Sequence, residues 1–305
     1  MSSRSNAVSE VAPAAISETR PMYWSVRREL WENRSIYVAP LAVAAVFLFG
    51  YSISTITLPH RMQGVLTSNP ATQRVAITMP YSAAAFLMIV TAFLVGAFYC
   101  LDALHGERRD RSILFWKSLP VSDRTTVLSK ASIPLVLLPL FAFAIAIATQ
   151  GIMLLLSTAV LLGNGPSLAA LWTHVKFFPS ALALLYGLTA IALWHAPIYA
   201  WLLLVSGWAR RATVLWAVLP LLAISVLERI AFNTMHFMDL LGYRMTGWFK
   251  EAFVFPPKVS NLAMGPLEHL TPGKFFSTPG LWIGLAFAAI FLTAAVRLRR
   301  NREPI

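Results

Sequence analysis

The sequence predicts an all-α, polytopic membrane protein with six transmembrane helices and both termini in the cytoplasm. Three observations carry that prediction. Hydrophobic residues make up 57% of the 305 residues and charged residues only 12%, against about 25% charged in an ordinary soluble domain. A soluble fold of this length cannot hide so much apolar surface, and the mean hydropathy of +0.65 points the same way. The apolar residues also gather into six runs, each near the roughly 20 residues that a bilayer crossing needs. Finally, Lys and Arg are shared unequally between the loops. With the N-terminus inside, the inner segments hold 17 of the 25 basic residues, as the positive-inside rule requires.

The elements follow in chain order. Residues 1–21 are polar, lack the apolar stretch of a cleavable signal peptide, and read as a disordered cytoplasmic tail. Residues 22–35, MYWSVRRELWENRS, read as an amphipathic interfacial helix. Trp24, Arg28 and Trp31 fall at i, i+4 and i+7, which puts an aromatic pair and a cation on one face. Such a helix either anchors the chain at the interface or steers the first span. The six-span domain covers residues 36–296. The first two spans are 36–58 and 80–101. The third, 131–162, is too short for two crossings and a turn, which need roughly 40 residues, and is one long helix. The fourth, 178–207, is also long, with Pro197 as an expected kink. The fifth is 212–231, and the sixth, 280–296, ends abruptly at Arg297. Gly280, Gly284 and Ala288 have the spacing that lets helices pack closely and are a candidate dimer face. The outer loop 232–279 is polar and proline-rich toward its end, and no pair of helices is placed in it. Residues 297–305 form a basic cytoplasmic tail.

What the spans lack narrows the function. Five contain no Asp, Glu, Lys or Arg, and the fifth has only Glu228 and Arg229 near its outer end. Ion-coupled carriers place ionisable groups at mid-membrane, and ion channels can ring their pores with charged side chains. Neither pattern is present. The motifs H-E-x-x-H, G-x-S-x-G and G-x-x-x-x-G-K-[ST] are absent too, so an intramembrane enzyme is disfavoured and nucleotide hydrolysis is expected elsewhere. No Cys/His cluster has metal-ligand spacing, and the lone Cys100 has no intramolecular partner. The net charge of +12 is attributed to the inner loops rather than to nucleic acid.

The loop 102–130 is the most informative segment. Its first half is charged, with Glu107, Arg108, Arg109, Asp110 and Arg111. Ile113, Leu114, Phe115, Trp116 and Leu119 follow, and so many large apolar residues in a short cytosolic loop call for a partner. Pro120 breaks the helix, and Ser122 or Asp123 can cap the next one. The result is a helix–turn–helix whose aromatic knob fits a groove on a cytosolic protein, with its charges setting orientation. The alternative is that Phe115 and Trp116 lie on the membrane surface.

In this loop Gly106-Glu107-Arg108, then Ser112, then Ser118-Leu119-Pro120-Val121-Ser122 resemble the segment after the second span of ABC-2 type permeases, the membrane subunits of a class of ATP-binding-cassette transporters. The six spans, cytoplasmic ends, interfacial helix and long outer loop resemble that family as well. The resemblance implies an exporter subunit in the inner membrane, with Ser112 to Thr125 acting as the coupling helix in a cleft of a separate ATPase. ATP and magnesium would then sit in that partner, and this chain would hold no cofactor. It also implies a second permease chain, identical or not, and short half-inserted helices in the outer loop. Phe253 to Pro257, with Trp248 and Phe249, would suit shallow insertion there.

Four polar residues are candidates for a substrate path. They are Thr149 and Gln150 in span three, His195 in span four and Glu228 in span five. Buried polar groups in lipid should face the bundle or a water path, and helix–helix hydrogen bonding is the competing role for each. A pathway without charges suits an amphiphilic or lipid-like substrate. A non-transporting scaffold or sensor that docks a cytosolic protein through the same loop is the other functional reading.

Overall fold

A computed structural model describes residues 19–112, 114–115, 121–163, 165–254, 267 and 269–301. Ile113, Trp116, Leu119 and Pro120 of the loop, and most of the N-terminal tail, lie outside the described residues. The described chain is helical, with a single isolated bridge between Phe253 and Leu270. Six of its helices are long and apolar enough to cross a membrane.

Helix α1 (Thr19–Glu32) precedes α2 (Ser35–Thr55). The first span therefore ends at Thr55, not 58. Pro59 falls in the opening turn of a separate helix, α3 (Leu58–Leu66), where its missing N–H costs nothing. Helix α4 (Pro70–Ala103) starts well before the apolar run, because the Asn69 side chain accepts from Thr72 N (2.8 Å) and Pro70 opens the first turn. Helix α5 (His105–Arg109) follows. Two residues beyond its end, Arg111 has a left-handed φ of 58°.

Helix α6 (Asp123–Ser132) is capped by Ser122, whose side chain accepts from Thr125 N (3.1 Å). A π-helical turn, Ile133–Leu137, joins it to α7 (Leu138–Leu161). Pro134 sits in that turn and removes one ladder hydrogen bond, a usual cause of such a bulge. Gly96 of α4 lies against it. A Cβ at that position would stand 3.2 Å from both Pro134 Cβ and Tyr199 Cε1. The absent side chain lets α4 approach.

Helices α8 (Gly165–His174) and α9 (Phe177–Trp208) complete the region around span four. Helix α9 is the centre of the bundle. It packs on α4 and α7, and Trp194, Leu188, Ala190 and Leu203 on it are essentially inaccessible. Helix α10 (Thr213–Phe232) lies at the periphery, with Ala217 as its single buried residue. Left-handed residues flank it, Ala212 (φ 49°) and Asn233 (φ 52°).

Within 232–279, where the residues alone place no pair of helices, the structure has α11 (His236–Ala252) and the short α12 (Pro272–Ser277). Helix α13 (Pro279–Asn301) runs past Val296 by more than a turn, carrying Arg297 and Arg299 as helical residues. The Gly280–Gly284–Ala288 stripe on α13 packs within this chain. Gly280 faces Tyr243, Gly284 faces Arg244 and Ala288 joins Ala196 and Ala200. These glycines serve intramolecular packing, which corrects their reading as a dimer face.

Candidate functional site

The site is a buried ionic cluster that joins four elements at one end of the bundle. Helix α1 contributes Arg28 and Glu29, α5 contributes Glu107, α6 contributes Asp123 and Lys130, and α13 contributes Arg299. Glu29 is 1% exposed. Its Oε1 accepts from Lys130 Nζ and Arg28 Nη2, both at 2.8 Å, and its Oε2 from the Tyr99 hydroxyl of α4 at 2.7 Å. Glu107 is 7% exposed and faces three cations. These are Arg28 Nη2 at 2.6 Å, Lys130 Nζ at 3.2 Å and Arg299 Nη2 at 3.2 Å. The other Arg299 nitrogen, Nη1, donates to Asp123 Oδ1.

Three cations thus meet three carboxylates, and a fourth carboxylate, Glu32 at the rim, stands 3.4 Å from Arg28 Nε. An isolated charge in so little water would be expelled or would neutralise itself. Here every charge has an opposite partner within hydrogen-bond distance. Burial works against the charge on Arg28, but the facing Glu29 and Glu107 carboxylates outweigh it and raise its hold on its proton. Glu32, one helical turn from Arg28 and at the rim, has its carboxyl pushed above the usual range by burial. Buried pairs of this kind add little net stability, yet breaking one by removing a partner costs about 3–5 kcal/mol. They fix which arrangement forms.

Arg108, beside Glu107, turns to another neighbour. Its Nη1 donates to the carbonyls of Gly207 (2.9 Å) and Ala209 (3.2 Å) at the end of α9. The Ser206 hydroxyl accepts from Leu104 N and His105 N (2.9 and 2.8 Å), closing the start of α5 on the same helix. The loop 102–130 is therefore pinned at both ends. It leaves from α5, locked to α1, α9 and α13, and it returns through α6, locked to α1 and α13.

The loop residues singled out from sequence divide in two. Glu107, Arg108 and Asp123 face into the chain, with Glu107 and Arg108 buried. Arg111 is exposed at its left-handed turn, and Leu114 and Phe115 are each 59% exposed. Ser122 serves as a helix cap. The aromatic face of α1 is arranged differently from its spacing. Arg27, not Arg28, lies over both indoles, 5.3 Å from the Trp24 ring and 4.6 Å from Trp31. Both rings are exposed, while Arg28 turns inward to the cluster.

The four path candidates are not brought together. Thr149 Oγ1 donates to Ile145 O, and Gln150 Nε2 donates to Tyr81 O of α4. The ring nitrogens of His195 face Ile191 O (2.9 Å) and Met245 O (3.2 Å), with Phe93 edge-on at 4.9 Å. Glu228 accepts from Thr234 Oγ1, His236 N and Phe237 N, and so closes the start of α11. Each is engaged within the chain. Among the described residues, no group of three or more His, Cys, Asp or Glu is placed to hold a metal ion.

Sequence reasoning passed over Glu29, Tyr99, Lys130 and Arg299. The available signal was weak. Glu29 is an acid amid the aromatics of α1, and Lys130 and Arg299 are cations at the very edge of apolar runs. No model of a known protein family matches the sequence, and no curated protein matches it.

Proposed function

We propose that this chain is the membrane subunit of an ABC-2 type exporter, driven by ATP hydrolysis in a separate cytosolic subunit. The observation that supports this reading is the ionic cluster, because it grips both flanks of one loop. Glu107 lies in the first part of the loop, and Asp123 and Lys130 lie in its last part. A push on the loop by a docked ATPase would reach α1 through Glu29 and Arg28, and α13 through Arg299. The exposed Leu114 and Phe115 offer the ATPase an apolar hold, with Ser112 to Thr125 as the coupling segment. A second permease chain, identical or related, would complete a central path in the inner membrane. The cargo would be amphiphilic, since five of the six spans carry no charge of their own.

Affinity purification of the tagged full chain in mild detergent, followed by mass spectrometry, tests the proposal. Near-equimolar recovery of a small cytosolic protein with a P-loop is the expected result. Recovery of a different cytosolic partner, with no ATPase, would favour a docking scaffold or sensor and sink the exporter reading.

A further inference from the structure

A second feature lies at the turn between α9 and α10, where a cavity of about 260 Å³ is lined by Trp208, Ala209, Arg210 and Trp216. Its shape follows from the local chain. Helix α9 stops at Trp208, and the left-handed Ala212 folds the backbone straight into α10. That reversal sets the two indoles edge to face with their ring centroids 4.7 Å apart. Both rings remain close to half exposed. Arg210 and Arg211 stand exposed beside them.

The surroundings are positive and the backbone is occupied. Arg108 takes the Gly207 and Ala209 carbonyls from the inner side. His105 Nε2 lies 3.4 Å from Arg210 O. Asp102, the nearby acid, lies 3.9 Å from both His105 and Arg109 and so is itself faced by the Arg109 cation. The turn also joins the ends of two helices long and apolar enough to span a bilayer. It therefore sits where hydrocarbon gives way to headgroups, the depth that Trp rings prefer.

We propose that this cavity is a binding site for an anionic phospholipid. Arg210 and Arg211 pair with the phosphate, and the Trp208–Trp216 pair flanks the glycerol and the first acyl methylenes. Basic pockets between spans hold anionic headgroups by this combination of charge and apolar wall. A choline headgroup would bring a cation toward the same arginines and gain far less. The site does not depend on the exporter reading. If that reading holds, lipid composition is sensed at a turn that Arg108 ties directly to α5 and its Glu107.

Native mass spectrometry of the full chain in neutral detergent tests this, with phosphatidylglycerol and phosphatidylcholine of identical chains as probes. One retained phosphatidylglycerol is expected, with weak retention of phosphatidylcholine. The double variant Arg210→Gln/Arg211→Gln should weaken phosphatidylglycerol binding about tenfold or more. The variant Arg34→Gln/Arg124→Gln removes the same charge from two other exposed positions and should leave binding unchanged. Both pairs are exposed, so folding is preserved. Equal retention of the two lipids would overturn the proposal, as would equal losses in the two variants. Displacement of the lipid by soluble glycerol phosphate would overturn it too, because the site would then read free phosphate.

Discussion

Glu29 has the most demanding position in the molecule. It is 1% exposed and bonded to Lys130, Arg28 and Tyr99 at once. The change Glu29→Gln keeps its shape but removes its charge, leaving Lys130, 2% exposed, short of one neutralising partner. A loss of about 3–5 kcal/mol is expected, read as a lowered thermal midpoint in detergent. Adding Lys130→Met to Glu29→Gln should recover part of that loss, since the pair is removed together and the sites are coupled. Strictly additive losses would show that the two charges do not act on each other. Arg111 makes a second prediction at this scale. Its left-handed φ of 58° is strained for a residue with a Cβ, and glycine avoids the penalty of about 1–2 kcal/mol. Arg111→Gly should therefore be neutral or stabilising by thermal unfolding, although it removes a cation from the loop. A destabilised Arg111→Gly would mean that the Arg111 side chain has a structural contact worth more than the strain.

At the scale of elements, α11 shows how a helix missed in sequence is held in place. Arg244 on it donates to Trp194 O (3.2 Å) and Gly280 O (2.8 Å), and its guanidinium lies 4.9 Å from the Trp194 ring. In return Trp194 Nε1 donates to Arg244 O at 2.9 Å. The arrangement requires a bare backbone at Gly284, where a Cβ would stand 2.5 Å from an Arg244 nitrogen. Gly284→Val should displace Arg244 and cost about 1–3 kcal/mol, and hydrogen exchange in α11 should rise. Unchanged protection of α11 would mean that Arg244 does not hold it. Combining Gly284→Val with Arg244→Ala should relieve the clash without restoring the helix's anchor. The six apolar runs were legible because an apolar run is a local property, and a long apolar helix overlaps each of them. Their ends moved where capping chemistry intervened, as with Asn69 before α4 or Pro59 after α2. Helix α11 was not legible for a physical reason. Its 17 residues mix Gly242, Gly247, Asp239 and Lys250 with aromatics, and the contacts of Arg244 with Trp194 and Gly280 that hold it lie far away in sequence.

At the scale of the whole molecule, the loop and its anchorage form one unit. The cluster holds no excess of cations, so the basic excess of the chain lies on other residues. The proposed role of the loop gives a further test. The double variant Phe115→Ala/Trp116→Ala should abolish recovery of the ATPase while membrane insertion and thermal stability stay near those of the unaltered chain. Undiminished recovery would remove the loop from the docking surface. The loop's prominence was visible in sequence, since exposed aromatics beside charges are a local signal. Its anchorage was not. Glu107 meets Arg28 across 79 positions and Arg299 across 192, and nothing in the spacing of charges says which will meet. The same holds for Tyr99, whose hydroxyl reads as one more polar group at a span's end until α1 folds back on it.

The long reach of Arg299 has a consequence for biogenesis. Helices enter a membrane in the order in which they are made, and this arginine belongs to the last turns of α13, the last of the described helices. Until it arrives, Glu107 lacks one of its three cations and Asp123 lacks the guanidinium that it faces in the finished bundle. The half-made protein thus holds a surplus of negative charge at that end, open to water and to proteases. Helix α13 acts as a clasp that closes the cluster only once it has been made. A chain truncated before Arg299 should insert its earlier helices and still be cleared quickly, which pulse–chase labelling of nascent chains would reveal.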